Sequence, residues 1–153
     1  MKTKLKNQKG FTIIEVLIVL AIAGLILLIV FLAVPALQRN SRNTQSRNAA
    51  AAVLGGVNDF STANNGTFPT TVAVANGIVT FTGAAGTTPS EAKVKAGTTV
   101  ALANGVPAAT GAINVAINYG CNGNAPVAKP RAVAALFKIE ATSSTLGDQC
   151  TES

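Results

Sequence analysis

Histidine is absent from the 153 residues, tyrosine occurs once, and only 12% of side chains are charged. Without histidine, a Ser-His-Asp triad, a Cys-His dyad and any His-containing zinc site are excluded. The two cysteines, Cys121 and Cys150, are too few for a four-thiolate metal site. They can form one disulfide, which suits a compartment outside the cytosol, or stand as two free thiols. Acidic residues are also scarce. Asp59, Glu91, Glu140, Asp148 and Glu152 fall in different predicted elements and make no paired-carboxylate site. The glycine-rich stretch Gly83-Ala84-Ala85-Gly86-Thr87-Thr88 lacks the lysine of a phosphate-binding loop. The sequence therefore predicts no enzyme, no metal and no cofactor.

What the chain does have is one long apolar run, from Phe11 to about Leu37, with Glu15 as its only charge. Residues 16–34 are uncharged and rise about 28 Å as a helix, close to the ~30 Å hydrocarbon core of a bilayer. A charge inside such a segment costs about 2.5–3.5 kcal/mol on insertion scales, so Glu15 requires an explanation. As part of a simple signal anchor, its carboxylate reaches back to the interface.

The residues before the run point elsewhere. Lys2, Lys4, Lys6 and Lys9 precede Gly10, Phe11 opens the apolar run, and Glu15 follows four residues later. This resembles the class III signal of type IV prepilins, in which a prepilin peptidase cuts after the glycine and N-methylates the new amino terminus. An ordinary signal peptide is cut after its apolar stretch. The resemblance implies a cut between Gly10 and Phe11, so that the run stays on the mature protein. It also implies that Glu15 neutralises the terminal amine of a neighbouring subunit during assembly. A buried pair of that kind is weak evidence for stability but a plausible device for fixing register.

Removing the leader changes the charge balance. Four of the twelve basic residues lie in residues 1–10, leaving eight basic against six acidic side chains, a balance of +2. The basic character is mostly a targeting feature and gives DNA little support as a partner. Topology by charge is only mildly biased, since Arg39, Arg42 and Arg47 follow the span and the next acid is Asp59. The leader resemblance and the cysteine pair favour the amino terminus inside and the head outside. The three arginines spread over about 140° of helix. They read as a solvated face with headgroup contacts, with inter-subunit or DNA contacts as alternatives, and no aromatic residue is interleaved to stack bases.

Gly24 and Pro35 interrupt the apolar helix, and Pro35 is expected to kink or loosen it over residues 31–35 or to mark the membrane exit. Many pilins carry a helix-breaking proline at the position of Leu32, so Pro35 departs from that pattern by three residues. Beyond it, Val53, Val57 and Phe60 at i, i+4 and i+7, with Ala49 and Ala50 one turn earlier, predict an amphipathic continuation. Gly55-Gly56 weakens it by roughly 1 kcal/mol per glycine and is a candidate break. Unbroken to Thr62, the helix would measure about 78 Å. Asn64-Asn65-Gly66 ends it, and Thr67-Phe68-Pro69 follows as an extended turn. Predicted strands cover Gly77–Thr82, Thr98–Ala103, Ala112–Tyr119 and Val133–Glu140, the last two forming the best hairpin. Ile113, Val115, Ile117 and Tyr119 share one face, as do Val133, Ala135, Phe137 and Ile139, and these faces are expected to receive the helix. Residues 83–97 and 104–111 read as surface loops. A Cys121–Cys150 bond would enclose most of the last strand and a terminal loop, and would contribute roughly 3.5 kcal/mol in the loop-entropy model. This resembles the disulfide-bounded C-terminal region of many type IV pilins.

The expected fold is α+β: a long N-terminal helix, transmembrane in its first half and amphipathic in its second, packed on a small antiparallel β-sheet head. Residues 1–10 are the leader, 11–37 the transmembrane and fibre-core helix, 38–65 its amphipathic continuation, and 66–153 the head with the disulfide loop 121–150. The resemblance implies a pilus subunit, held in the inner membrane as a precursor and polymerised with copies of itself into an extracellular fibre for adhesion, twitching motility or DNA uptake. Its implied partners are prepilin peptidase, the assembly platform and the assembly ATPase. A pseudopilin of a type II secretion system and a signal-anchored extracellular binding domain that never polymerises are the alternatives.

Overall fold

The computed structural model describes residues 10–142 and 145–153, so of the expected leader only Gly10 falls among the described residues. The architecture is α+β: α1 (Ile13–Ala63), then β1 (Thr71–Ala75), β2 (Ile78–Thr82), β3 (Ser90–Lys93), β4 (Thr99–Leu102), β5 (Ala112–Asn122), β6 (Ala125–Glu140) and β7 (Leu146–Glu152). Two compact units divide between Gln38 and Arg39, and α1 contributes to both.

In the first unit the apolar side chains of α1 stay exposed, Phe31 and Leu32 at 76% and 74% among them. By length and composition the helix can cross a membrane. It runs without a break through Gly24 and Pro35. Proline lacks only its own N–H, so the rung to the carbonyl of Phe31 is missing while the flanking rungs maintain the helix.

In the second unit α1 buries Ala49, Ala50, Val53, Leu54, Gly56, Val57 and Phe60, the face given by the i, i+4, i+7 pattern. They pack against Val79, Phe81 and Ala92 of one sheet and Val100, Ile113, Val115, Val133, Ala135 and Phe137 of the other. The helix does not break at Gly55-Gly56, and the two glycines have different surroundings. A Cβ on Gly56 would lie 2.7 Å from Phe81 Cε2 and 3.0 Å from Ala92 Cβ, so the missing side chain is what admits β2 and β3 to the helix. Gly55 faces open space.

The head has two sheets rather than one. The first has order β1-β2-β3 and the second β4-β5-β6-β7. Neighbours pair antiparallel except β4 and β5, which run parallel and are joined by the irregular stretch 103–111. Strands β1, β3 and β7 were not expected. β1 and β2 form a hairpin closed by Asn76-Gly77, both at positive φ (51° and 79°), a pairing whose backbone matches the twist of the strands it joins. β3 lies inside the predicted loop 83–97. Ala92 is the residue it buries, and its pairing with β2 and the bond from Ser90 Oγ to the Gly56 carbonyl (2.6 Å) hold it in place. β7 replaces the expected terminal loop and pairs with β6 from Ala134↔Glu152 to Glu140↔Leu146.

Alternation in β5 also changes midway. Ile113, Val115 and Ile117 face the helix, but Tyr119 turns to the opposite face with Ala116, Leu136 and Cys121. The cause is a bulge between Ile117 and Tyr119, with Asn118 at φ 63° and Arg131 opposite at φ 65°. The Arg131 amide donates to Asn118 Oδ1 at 3.2 Å. One positive-φ residue shifts every later side chain to the other face.

Asparagine amides fasten both ends of the packed helical half. Asn43 Nδ2 donates to the Glu140 carbonyl (2.9 Å) and its Oδ1 accepts from the Glu140 amide (2.8 Å). Asn64 makes the same paired contact with Thr88, at 2.9 and 2.7 Å. Each side chain acts as a short piece of strand, bonding both backbone polar groups of one residue. The two glycines give a direct test of the close approach between helix and sheet. Gly55→Ala is expected to stabilise the detergent-solubilised chain by about 1 kcal/mol through helix propensity. Gly56→Ala is expected to destabilise it by about 1–3 kcal/mol by overpacking, although propensity also favours alanine there. Urea denaturation measures both, and shifts of the same sign would show that Gly56 is not needed for space.

Candidate processing and assembly site

Helix α1 begins at Ile13, so Gly10, Phe11 and Thr12 lie ahead of it in non-helical, exposed backbone. Phe11 is 90% exposed, and among the described residues no heavy atom crowds Gly10. Thr12 caps the helix. Its backbone N–H and Oγ1 both donate to Glu15 Oε2, at 2.8 and 2.7 Å, and the Glu15 amide donates back to Oγ1 at 3.3 Å. This is a capping box, which satisfies orphan donors at a helix start and places negative charge at the positive end of the helix dipole. Glu15 therefore has a role within its own chain, beyond the charge that drew attention to it. Thr12 was overlooked in the sequence, although Thr-x-x-Glu directly before an apolar run is the signature of such a box.

Cys121 and Cys150 lie far from this end of the sequence and form a disulfide with a Cα–Cα separation of 5.7 Å. They sit on β5 and β7, with β6 between those strands over most of its length. Between Ala128 and Val133 β6 leaves its register with β5, and four of its residues stand opposite Asn118 alone. The bonded pair packs with Ala116, Ala134, Leu136 and Tyr119 on the sheet face away from the helix. Glu152 Oε2 accepts from the Cys121 amide at 2.8 Å, and Lys129 Nζ reaches Oε1 at 2.9 Å.

At the opposite end of β6, Arg42 grips Glu140 through two hydrogen bonds of 2.7 Å, one from Nε and one from a terminal nitrogen. This bond, aided weakly by Arg39, holds the Glu140 carboxyl below its ordinary value of 4.5. Lys129 and the Cys121 amide lower Glu152 in the same way. A carboxyl depressed in the folded chain contributes fully above 4.5 and loses that contribution as the pH falls through its lower folded value. Both groups face solvent, so salt screens the effect. Glu140→Gln is expected to lower the thermal midpoint at neutral pH and to flatten its fall below about pH 4.5 in low salt. Midpoints measured across that range decide it, and an unchanged acid slope would mean that the pair contributes nothing.

No group of three or more His, Cys, Asp or Glu side chains is placed to hold a metal among the described residues. Comparison with protein families matches residues 5–31 to the prokaryotic N-terminal methylation motif. No curated protein and no solved structure matches the chain. The matched stretch contains Gly10, Phe11, the Thr12–Glu15 box and much of the exposed apolar helix. At residues 5–31 the chain thus carries the class III signal of the type IV pilin and pseudopilin family, the mark of a precursor processed by prepilin peptidase.

Proposed function

We propose that this protein is a structural subunit of a type IV pilus. Prepilin peptidase removes residues 1–10, the apolar part of α1 stores the subunit in the inner membrane with its head outside, and an assembly platform driven by an ATPase extracts it into a fibre of copies of itself. The observation that carries this reading is the junction: an exposed, non-helical Gly10–Phe11 bond three residues before an uncovered apolar helix. A peptidase needs access to extended backbone, and the bond offers it.

Cleavage has an electrostatic consequence. It creates an ammonium group at Phe11, beside the positive end of the helix dipole, where a cation is unfavourable. Glu15 is the nearest acid in sequence, and a carboxylate shared with the ammonium of a neighbouring copy compensates that charge while fixing the register between copies. The disulfide supports a pilin over a pseudopilin, because pseudopilins more often hold the last loop with bound calcium. Adhesion, twitching motility and DNA uptake are the roles such a fibre serves.

The test is intact mass and N-terminal sequencing of protein sheared from the cell surface, with and without reductant. The expected chain begins at N-methylated Phe11 and gains two hydrogens on reduction. A chain that begins at Met1 and stays in the membrane fraction would leave the anchored binding domain as the better account. A correctly cut chain absent from any surface fibre would favour the pseudopilin.

A further inference from the structure

A cleft of about 160 Å³ opens in the head beside the second half of α1. Arg42, Ser46 and Ala49, at i, i+4 and i+7, share the helical face that forms one wall. Strands β4 and β5 run parallel, so the chain enters both at the same end of the sheet, and Thr98 and Thr110 line the cleft from there. Ala49 and Ile113, both buried, give it an apolar base. Lys95 Nζ donates to Gln45 Oε1 at 3.0 Å, which holds the ammonium group in the lining. Hydrogen-bond donors outnumber acceptors here. Both Glu140 oxygens already accept from Arg42, and Gln45 Oε1 accepts from Lys95. Lys95 keeps two of its three donors, and among the described residues the hydroxyls of Ser46, Thr98 and Thr110 have no partner. Charge is uneven in the same sense, with Arg42 and Lys95 set against Glu140 alone.

We propose that this cleft is a binding site for a carboxylate carried on a short aliphatic stem. The uneven charge calls for one negative charge, and the idle donors call for acceptors. A carboxylate supplies both and brings no donor of its own. Hydrogen bonds to a charged acceptor are also the stronger ones. The stem lies on Ala49 and Ile113, and a volume close to that which admits one benzene-sized molecule limits it to a few carbons. A phosphate fits less well, because it turns oxygen toward the apolar base on every side. Two sources carry such a group, a free short-chain acid and an acidic side chain of a second copy. Asp59 and Glu91 are exposed and enter no ion pair among the described residues, so this chain has acids to offer.

The test follows acylation of individual lysines by mass spectrometry in the full chain in detergent, with butyrate replacing chloride at constant ionic strength. Lys93, exposed on β3 and outside the cleft, is the internal reference. Lys95 is expected to react roughly threefold more slowly once butyrate reaches about twice its dissociation constant, with Lys93 unchanged. Butyramide, the neutral isostere, is expected to give no protection, and acetate, shorter by two methylenes, to bind roughly tenfold more weakly. Ser46→Ala keeps the helix and is expected to weaken butyrate about tenfold by removing one bond to a charged group. Equal protection by butyrate and butyramide, equal slowing of Lys93, or full protection in Ser46→Ala would overturn the proposal. Fibres sheared from the cell surface separate the two sources. Lys95 protected there and released in Asp59→Asn with Glu91→Gln identifies a second copy as the source. Lys95 open there, or still covered in the double variant, excludes these two acids and leaves the free acid. Only this last step rests on the pilus reading, so a chain that forms no fibre overturns that reading and leaves butyrate to decide the cleft.

Discussion

Side chains from Phe11 to Leu37 that the chain leaves uncovered set the terms for the rest of the molecule. A helix apolar on every side is stable only where something apolar surrounds it, either lipid or the same segment of other copies. Both environments fit one reading, storage in a bilayer followed by packing in a fibre, and both require the segment to remain attached to the head. A cut before the run meets that requirement, and a cut after it would discard the segment. On the proposed reading, the first kind of cut is made inside the methylation motif at residues 5–31.

The head has few charged groups with which to hold itself together. Its core is entirely apolar, with no buried polar or charged residue among those described. One helical face closes two sheets at once, which is why Val53, Val57 and Phe60 have no measurable exposure. Polar contacts work at the margins instead. Asn43 and Arg42 tie the end of β6 to the helix, Asn64 ties the helix terminus to the loop before β3, and Glu152 with the disulfide ties β7 to β5. Each of these sits where a backbone ladder stops. Such contacts contribute about 1 kcal/mol apiece and direct the chain more than they stabilise it.

Long-period features were legible in the sequence and local exceptions were not. The apolar run, the helical face at Val53, Val57 and Phe60, and the inward alternation of Ile113, Val115, Val133, Ala135 and Phe137 follow from hydrophobic periodicity, and the structure buries those head residues together. Asn76-Gly77 between two alternating runs was an available hairpin signal, and overlooking it cost β1. β3 and β7 could not be read in the same way. Ser90–Lys93 and Leu146–Glu152 are short or polar, and become strands because β2 and β6 offer open edges. Tyr119 was assigned to the wrong face because alternation assumes regular pleating, and Asn118 at positive φ breaks it. At the N-terminal site Glu15 stood out by its charge. Its partner Thr12 did not, although the spacing of a capping box was present.

The Thr12–Glu15 box changes how an acid in an apolar segment should be weighed. Taken as an isolated charge, Glu15 is a cost to membrane storage that only assembly could justify. Bonded to two donors of Thr12, its carboxylate already has partners at a helix end that would otherwise leave backbone donors unmet. Part of the cost is thereby met before any neighbour arrives. What the box cannot supply is a compensating positive charge, because both of its donors belong to neutral groups. An ammonium group can supply one, and charge-assisted bonds of that kind are roughly twice as strong as neutral ones. On the proposed reading, the same carboxylate first caps its own helix and then bonds to a neighbour's new amino terminus, and cleavage before Phe11 is what makes the stronger partner exist.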